Sequence, residues 1–569
     1  MKYQADKSPS DSGNIGFNAL NLFSPLTNWT AIRNELRQVS WDSTEGDQQP
    51  ETLYEEITRV CLVICTHHSP KRRLNKKKND IPKDRRIIMR KRAAVRKKFK
   101  DTKSEHNKRL IEARLERMDQ ELRESVRRQQ QLTEKNAVEA IKTNPKYFYT
   151  YAKNNSKLKT DVMALTDADG NLENDPPKLC ELFSQQFAGV FNAPLRTMAI
   201  DDSGSFFRSG ATEHQELCEL QFTDDDILAA IKTIRPTAAP GPDEFPAILL
   251  KNCGSEMTKP LQMLFSRSFQ TGIIPEPMKK ARITPIYKKG LRTDPSNYRP
   301  VALTSHIMKV MEKIIVKTVT SYLEMNFLMN PGQHGFRAGY SCLSQLIEHY
   351  ENILESLEKG HNVDVVYLDF EKAFDKVDHG VLLHKLRDFG ITGTLGKWIH
   401  SFLTNRTQCV TVKGVTSRAS EVVSGVPQGS VLGPMLFLVH IADINSTVVH
   451  STVRSFADDT RVQGEITDIN SAVQLQEDLK AIYVWAEKNN MNFNDTKFEL
   501  MRYGNNNEIK NQTSYEALDK FLKSVPDEPR LDHYRTAAES NAIDDQLCYL
   551  RTNGITIPGE EASPCPGSP

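Results

Sequence analysis

Phe456-Ala457-Asp458-Asp459-Thr460 sets two adjacent carboxylates between an apolar pair and a threonine. Acidic pairs are common on solvated loops, so the pair alone decides nothing. Its meaning changes with Val365-Val366-Tyr367-Leu368-Asp369-Phe370 upstream, where an apolar run of strand length ends in a single aspartate. A buried strand delivering one carboxylate, and a tight hairpin delivering two more, is one way to hold two divalent cations. Two such ions roughly 3.5–4 Å apart activate an attacking hydroxyl and steady a leaving pyrophosphate in an in-line displacement. Mg2+ suits this work because it prefers oxygen ligands and keeps waters and substrate phosphates in its shell; Mn2+ is an alternative ion.

The 569 residues suffice for two or three domains with a sizeable core, and 38% of them are hydrophobic. The formal charge of +2 hides a strong local imbalance. No apolar run approaches the ~18 residues of a membrane span, so no membrane partner is expected. Residues 1–12 are polar and lack the apolar centre of a signal peptide, so the chain reads as not secreted. Nine cysteines without framework spacing read as reduced thiols inside a cell.

Outward from the acidic motifs the chain divides into five stretches. Residues 1–70 form a helical, linker-like segment. An amphipathic patch at 29–41 carries Ile32, Leu36 and Val39, and a second helix is expected over 53–65. Cys61, Cys65, His67 and His68 invite a zinc reading, but the cysteine spacing is helical and no second pair answers it, so a small buried helix is preferred. Residues 71–145 hold a basic block and a long helix. The block, 71–100, contains sixteen Lys/Arg against two Asp, with clusters Lys71-Arg72-Arg73, Lys76-Lys77-Lys78 and Arg90-Lys91-Arg92. Uncompensated charge of this kind suits a phosphate backbone or a nuclear import signal; a solvated arm without a partner is the competing reading. Residues 104–142 read as one helix with an apolar stripe at Ile111, Leu115, Met118, Leu122 and Val126, ended by Asn144-Pro145. Residues 146–215 are a linker region. It opens with Lys146-Tyr147-Phe148-Tyr149-Thr150-Tyr151, which could stack on bases but suits packing better, and includes a turn at 167–171.

A globular texture runs over 216–515. Thr223 is a plausible N-cap, with Asp224 to Asp226 in the first turn. A helix is expected over 248–269. A strand through Ile283 and Ile286 enters the basic turn Lys288-Lys289-Gly290, and a return strand starts at Asn297-Tyr298-Arg299. Lys288 and Arg299 can converge there on a triphosphate, one as a point charge and the other as a forked donor; ordinary surface charge at a turn is the alternative. Helices over 305–325 and 341–358 flank Gln333-His334-Gly335-Phe336-Arg337. The Gly/Pro-bounded loop Ser424-Gly425-Val426-Pro427-Gln428-Gly429-Ser430 lets backbone approach a ligand closely, with Gln428 offering a donor and an acceptor. Residues 516–569 are a divergent, partly disordered tail ending in a turn-rich stretch.

Residues 222–515 resemble the reverse transcriptase domain of non-LTR retrotransposons, of the LINE kind with jockey- and CR1-like members. The matching blocks stand in the family's order: Ala239-Pro240-Gly241-Pro242-Asp243, Pro285-Ile286-Tyr287-Lys288-Lys289-Gly290, Tyr298-Arg299-Pro300, Gln333-His334-Gly335-Phe336-Arg337, Asp369-Phe370-Glu371-Lys372-Ala373-Phe374-Asp375, Gly425-Val426-Pro427-Gln428-Gly429-Ser430, Phe456-Ala457-Asp458-Asp459 and the Lys497 segment. The resemblance implies an α+β right hand of palm and fingers, here with an N-terminal helical basic extension. It implies that Asp369 and Asp458 ligate two metal ions with Asp459 assisting. It further implies that Phe374 is the steric gate against a 2′-hydroxyl, that Lys288 and Arg299 hold the triphosphate, that Gln428 lines the base and sugar pocket, and that Lys497 protonates pyrophosphate. The implied reaction copies an RNA template into DNA, adding dNTPs to the 3′-hydroxyl of a DNA primer.

Departures from the family accompany the matches. No endonuclease motifs precede the linker-like segment, the match fades near Tyr515 where a thumb is expected, and Met278 replaces a usual tryptophan. The sequence therefore reads as a truncated element copy. Two functions follow: an RNA-directed DNA polymerase, or a catalytically silent remnant that at most binds RNA through the basic block. Localisation is nuclear, cytoplasmic or both.

Overall fold

The computed structural model describes residues 16–41, 49–72, 82–139, 151, 162, 164–192, 216–494, 497–517 and 520–521. It divides into two compact units, one made of Met1–Lys71 with Met163–Glu560, the other containing Arg72–Val162. Among the described residues no helix is long and apolar enough to cross a membrane.

The larger unit is a mixed helix-and-sheet body. Its N-terminal helices α1 (Trp29–Gln38) and α2 (Pro50–His68) bury Ile32, Leu36, Tyr54, Ile57, Cys61 and Cys65 in the same core as Phe245, Met257 and Met278. Polar ties fix the docking. The Tyr54 hydroxyl donates to Asp243 Oδ2 at 2.9 Å within the Pro-Gly-Pro-Asp turn, and Arg37 pairs with Glu256 at 2.6 Å. Cys61 and Cys65 are core residues, and His68 bonds Glu35 at 2.6 Å. The expected helix over 248–269 is two helices, Ala247–Asn252 and Gly254–Thr271, broken at Cys253. Thr223 caps the helix Asp224–Lys232 by accepting from the Asp226 N–H, as its sequence position suggests.

After the short hairpin β1 (Leu165–Thr166) and β2 (Leu172–Glu173), two sheets carry the rest. One has the order β4-β3-β6-β7, with β3 (Lys280–Tyr287), β4 (Tyr298–Leu303), β6 (Arg406–Val412), β7 (Val415–Thr416) and β8 (Ser420–Val422) paired to β6. The other is fully antiparallel in the order β11-β5-β10-β9. Its strands are β5 (Asn362–Leu368), β9 (Thr452–Phe456), β10 (Asp459–Ile466) and β11 (Glu499–Tyr503). The β5 residues explain their own run of valines. Val363 and Val365 pack with Ile353 of the helix Cys342–Glu358, while Val366 and Leu368 face the main core. A strand covered on both faces loses the alternation of a half-exposed one. A last pair, β12 (Glu516–Ala517) and β13 (Lys520–Phe521), ends the described chain.

The smaller unit is a helical hairpin of α3 (Lys83–Asp101) and α4 (Glu105–Glu139). Arg85 bonds Ser125 Oγ and the Ser125 carbonyl, and Arg92 pairs with Asp119 at 2.6 Å, so the two helices run antiparallel. This corrects the expectation of wholly uncompensated charge: Arg92 of the basic block has an acidic partner across the hairpin. Of the apolar stripe, Ile111, Leu115, Met118 and Leu122 are half-buried and Val126 is exposed.

Candidate active site

The antiparallel register Thr460↔Leu368 between β10 and β5 brings the start of β10 beside the end of β5. One residue further along each strand stand Asp459 and Asp369. Asp458 occupies the turn between β9 and β10, whose corner residue Ala457 has φ +56°. All three aspartates are half-buried. Burial and the charges of Asp458 and Asp369 push the Asp459 carboxyl well above the ordinary carboxylate range, while Lys497 and Lys288 pull it back. One electrostatic site thus contains three carboxylates and two ammonium groups.

Lys497 Nζ lies 2.5 Å from Asp369 Oδ2. The segment that carries it is pinned to the same strand end: Asn494 N–H donates to the Asp369 carbonyl, Glu371 N–H to the Asn492 carbonyl, and Phe370 stacks on Phe493 at 4.6 Å. Among the described residues no group of three or more His, Cys, Asp or Glu side chains is arranged to hold a metal ion. The donor set nevertheless fits a divalent cation: it is all hard oxygen, it is half-buried, and its mutual repulsion is strong enough to displace a proton equilibrium.

Lys288 follows β3 directly, and its N–H donates to the Asn297 carbonyl across the β3–β4 turn. Arg299 lies opposite Ile286 in the same hairpin. Both are positioned by one turn, and the Lys288 charge acts on Asp459. Phe374 stacks on Phe437 at 4.5 Å and meets the Phe336 ring edge-on at 6.0 Å, so its ring plane is fixed from two sides. Gln428 Nε2 donates to Asp375 Oδ2 at 2.8 Å, and its carbonyl accepts from the Ala302 N–H on β4. The neighbouring Gly429 has φ +111° and lies so close to β4 that a Cβ there would sit 2.4 Å from the Ala302 carbonyl oxygen. Burial raises the Asp375 carboxyl to about 6, with the Gln428 bond and the Lys372 charge opposing. A shallow cleft runs here between Ile283, Pro300, Ala302, Asp375 and Gln428.

In the basic block, Lys71, Arg72, Arg90 and Lys91 are exposed and Arg92 is paired. Arg73, Lys76, Lys77 and Lys78 lie outside the described residues, as do the aromatic stretch 146–150 and the linker at 193–215. The sequence motifs include Gln333, Gly335 and Asp375 without giving them a task, and Glu312 stands in no motif. Each acts on backbone or on another side chain across the fold, and no local spacing reveals that.

An apolar strand ending in one aspartate, an acidic hairpin in register beside it, and a basic turn whose lysine acts on Asp459 thus stand together. Residues 286–525 match the family described as reverse transcriptase (RNA-dependent DNA polymerase), so the match runs past Tyr515. Those residues are similar to reverse transcriptase domains of the non-LTR retrotransposon kind. The chain is 30% identical over 292 residues to the RNA-directed DNA polymerase from mobile element jockey of Drosophila funebris, covering 50% of this chain and 32% of that protein. The jockey protein of Drosophila melanogaster is 31% identical over 292 residues, with the same coverage. The probable RNA-directed DNA polymerase from transposon BS of Drosophila melanogaster is 28% identical over 273 residues, covering 46% of this chain and 30% of that one. The chain spans about a third of the length of these relatives. As a family, reverse transcriptases use divalent metal ions.

Proposed function

We propose that this chain is an RNA-directed DNA polymerase that extends a DNA primer with dNTPs along an RNA template. The observation that carries the proposal is the register that sets Asp369 beside the Asp458-Asp459 turn with Lys288 in electrostatic reach. In this reading the sheet β11-β5-β10-β9 is the palm and the β3–β4 hairpin belongs to the fingers. Asp369 and Asp458, assisted by Asp459, would hold two Mg2+ ions, which when bound activate the primer 3′-hydroxyl and neutralise the leaving pyrophosphate. Lys288 and Arg299 bind the triphosphate from the hairpin side. Phe374, held by Phe437 and Phe336, presents a fixed wall to the sugar and excludes a 2′-hydroxyl by shape. Gln428, oriented by Asp375, lines the base and sugar pocket. Lys497 moves from Asp369 Oδ2 to the leaving group and donates its proton there. The exposed cations of the α3–α4 hairpin, Arg90 and Lys91 among them, bind the phosphate backbone of RNA.

The test is primer extension on an RNA template with Mg2+ and dNTPs, comparing wild type with Asp458→Asn/Asp459→Asn. Wild type extends, and the double variant loses extension by at least ~1000-fold, since amides of the same size cannot supply the ligand charge. Retention of RNA without extension by wild type would overturn the proposal in favour of a silent, RNA-binding palm.

A further inference from the structure

We propose that Gln333 is a positioning residue that clamps the backbone of the Asp458-Asp459 turn from outside the substrate site. Gln333 is 3% exposed. Its amide is used on backbone. Oε1 accepts from the Ala457 N–H and the Gly335 N–H, both at 2.8 Å, and Nε2 donates to the Ala457 carbonyl at 3.2 Å. A single side chain therefore holds both polar groups of the residue that precedes Asp458. That residue needs holding. Left-handed backbone is strained for a non-glycine residue, and Ala457 adopts it at φ +56°. The Ala457 carbonyl belongs to the peptide whose nitrogen is that of Asp458, so fixing its direction fixes where the Asp458 side chain starts.

The clamp is itself braced. The 332–335 segment lies parallel to β9, with Ser455 N–H donating to the Gly332 carbonyl and His334 N–H to the Ser455 carbonyl, each at 2.9 Å. Gly335 is pressed against the turn: a Cβ there would lie 2.2 Å from the Ala457 nitrogen. Arg337 anchors the far end through two bonds to Glu324 at 2.9 and 2.7 Å, and through the Asn330 and Gln333 carbonyls. Phe336 of the same segment is the ring that meets Phe374 edge-on. One short loop thus reaches both the aspartate turn and the sugar gate. A catalytic constellation needs supporting groups of this kind to stay within about 0.5 Å of working geometry.

The activity arm of the test rests on the polymerase reading; the metal and exchange arms do not. The full chain is compared with Gln333→Ala, Gln333→Glu and Gln333→Ala/Ala457→Gly. Loss of two or three bonds at the turn is expected to lower kcat ~10- to 100-fold and Mn2+ affinity, read by electron paramagnetic resonance, by about tenfold. The dNTP KM should move less than about threefold, because no contact with the triphosphate is lost. Amide exchange over 455–460 should accelerate. Ala457→Gly should recover part of both losses, since glycine adopts positive φ without strain. Gln333→Glu keeps the accepting oxygen, loses the donor, and should fall between. A folded Gln333→Ala protein with Mn2+ affinity and 455–460 exchange within about twofold of wild type overturns the inference, as do losses that follow the melting temperature alone without Ala457→Gly recovery. A wild-type chain that extends no primer refutes the polymerase reading, and Mn2+ affinity and exchange then decide Gln333 alone.

Discussion

Removing the Glu312 carboxylate is expected to destabilise the larger unit by about 3–5 kcal/mol. Glu312 sits on the helix His306–Met325 with 0% exposure. Its Oε2 accepts from the Val431 N–H at 2.6 Å and the Leu432 N–H at 2.9 Å, at the entry to the helix Gly433–Ile441 that follows the Gln428 loop. Burial raises the Glu312 carboxyl, with those N–H groups and the Arg406 charge opposing. Arg406 is buried too and is held down to about 10, with Glu312 as its offset. Each charge-assisted bond is worth about 1.5–3 kcal/mol. Among the described residues no ion pair joins Glu312 and Arg406, so the loss from stranding the Arg406 charge is bounded above by the about 3–5 kcal/mol of a broken buried contact pair. These estimates describe overlapping losses and do not add. With a urea m-value near ~3 kcal/mol per M, Glu312→Ala should lower the unfolding midpoint by about 1–1.7 M, read by tryptophan fluorescence. Glu312→Gln keeps one accepting oxygen and should cost roughly half as much. Adding Arg406→Met to Glu312→Ala should return at least ~1 kcal/mol, because the stranded charge is gone. A midpoint shift below about 0.3 M for Glu312→Ala, or no recovery in the double variant, would refute the reasoning.

Two further outcomes follow from single side chains. Phe374→Val should lower the preference for dNTP over rNTP by at least ~10-fold in steady-state incorporation, and an unchanged ratio would remove Phe374 from the gate. Acid should unfold the chain early. Burial holds His306 and His349 each down to about 3, so both are neutral in the fold and take up protons on unfolding. A base depressed this way contributes stability that is complete above the unfolded value near 6.5 and is lost as pH falls from there toward 3. At pH 4.5 the two together should have lost about 5 kcal/mol, comparable to a whole domain's margin. Urea midpoints measured from pH 7 to 4.5 check this, and His349→Leu should flatten the profile.

Local chemistry was the legible part of this chain. The β5 run ending at Asp369, the Asp458-Asp459 turn, the Thr223 cap and the Lys288 turn stand where residue types alone set them, because each depends on neighbours in sequence. What was not legible depends on distant partners. The amphipathic faces of α1 and α2 announce burial but not that Phe245 and Met257 cover them. The break at Cys253 is marked in sequence only by the adjacent Gly254, which a helix interior also tolerates. Sixteen cations against two acids in 71–100 gave no sign that Arg92 would find Asp119, which lies on the next helix. Gln333 belongs to a quoted motif, yet its task exists only because a parallel bridge to Ser455 carries it beside Ala457.

Lys497 shows how far such non-local pairing reaches into the chemistry. A proton donor to pyrophosphate must stay charged and near the metal ligands without competing with the substrate. In this structure its ammonium rests on Asp369 Oδ2 at 2.5 Å. Under the proposed function the same oxygen would not hold Lys497 and a divalent cation at full strength, so a cation bound there would compete with Lys497. A cation held there would ease the repulsion that raises Asp459, and Lys497 would be left to pair with a phosphate. Were Asp369 a metal ligand and Lys497 the proton donor, this ion pair would tie proton donation to a loaded site.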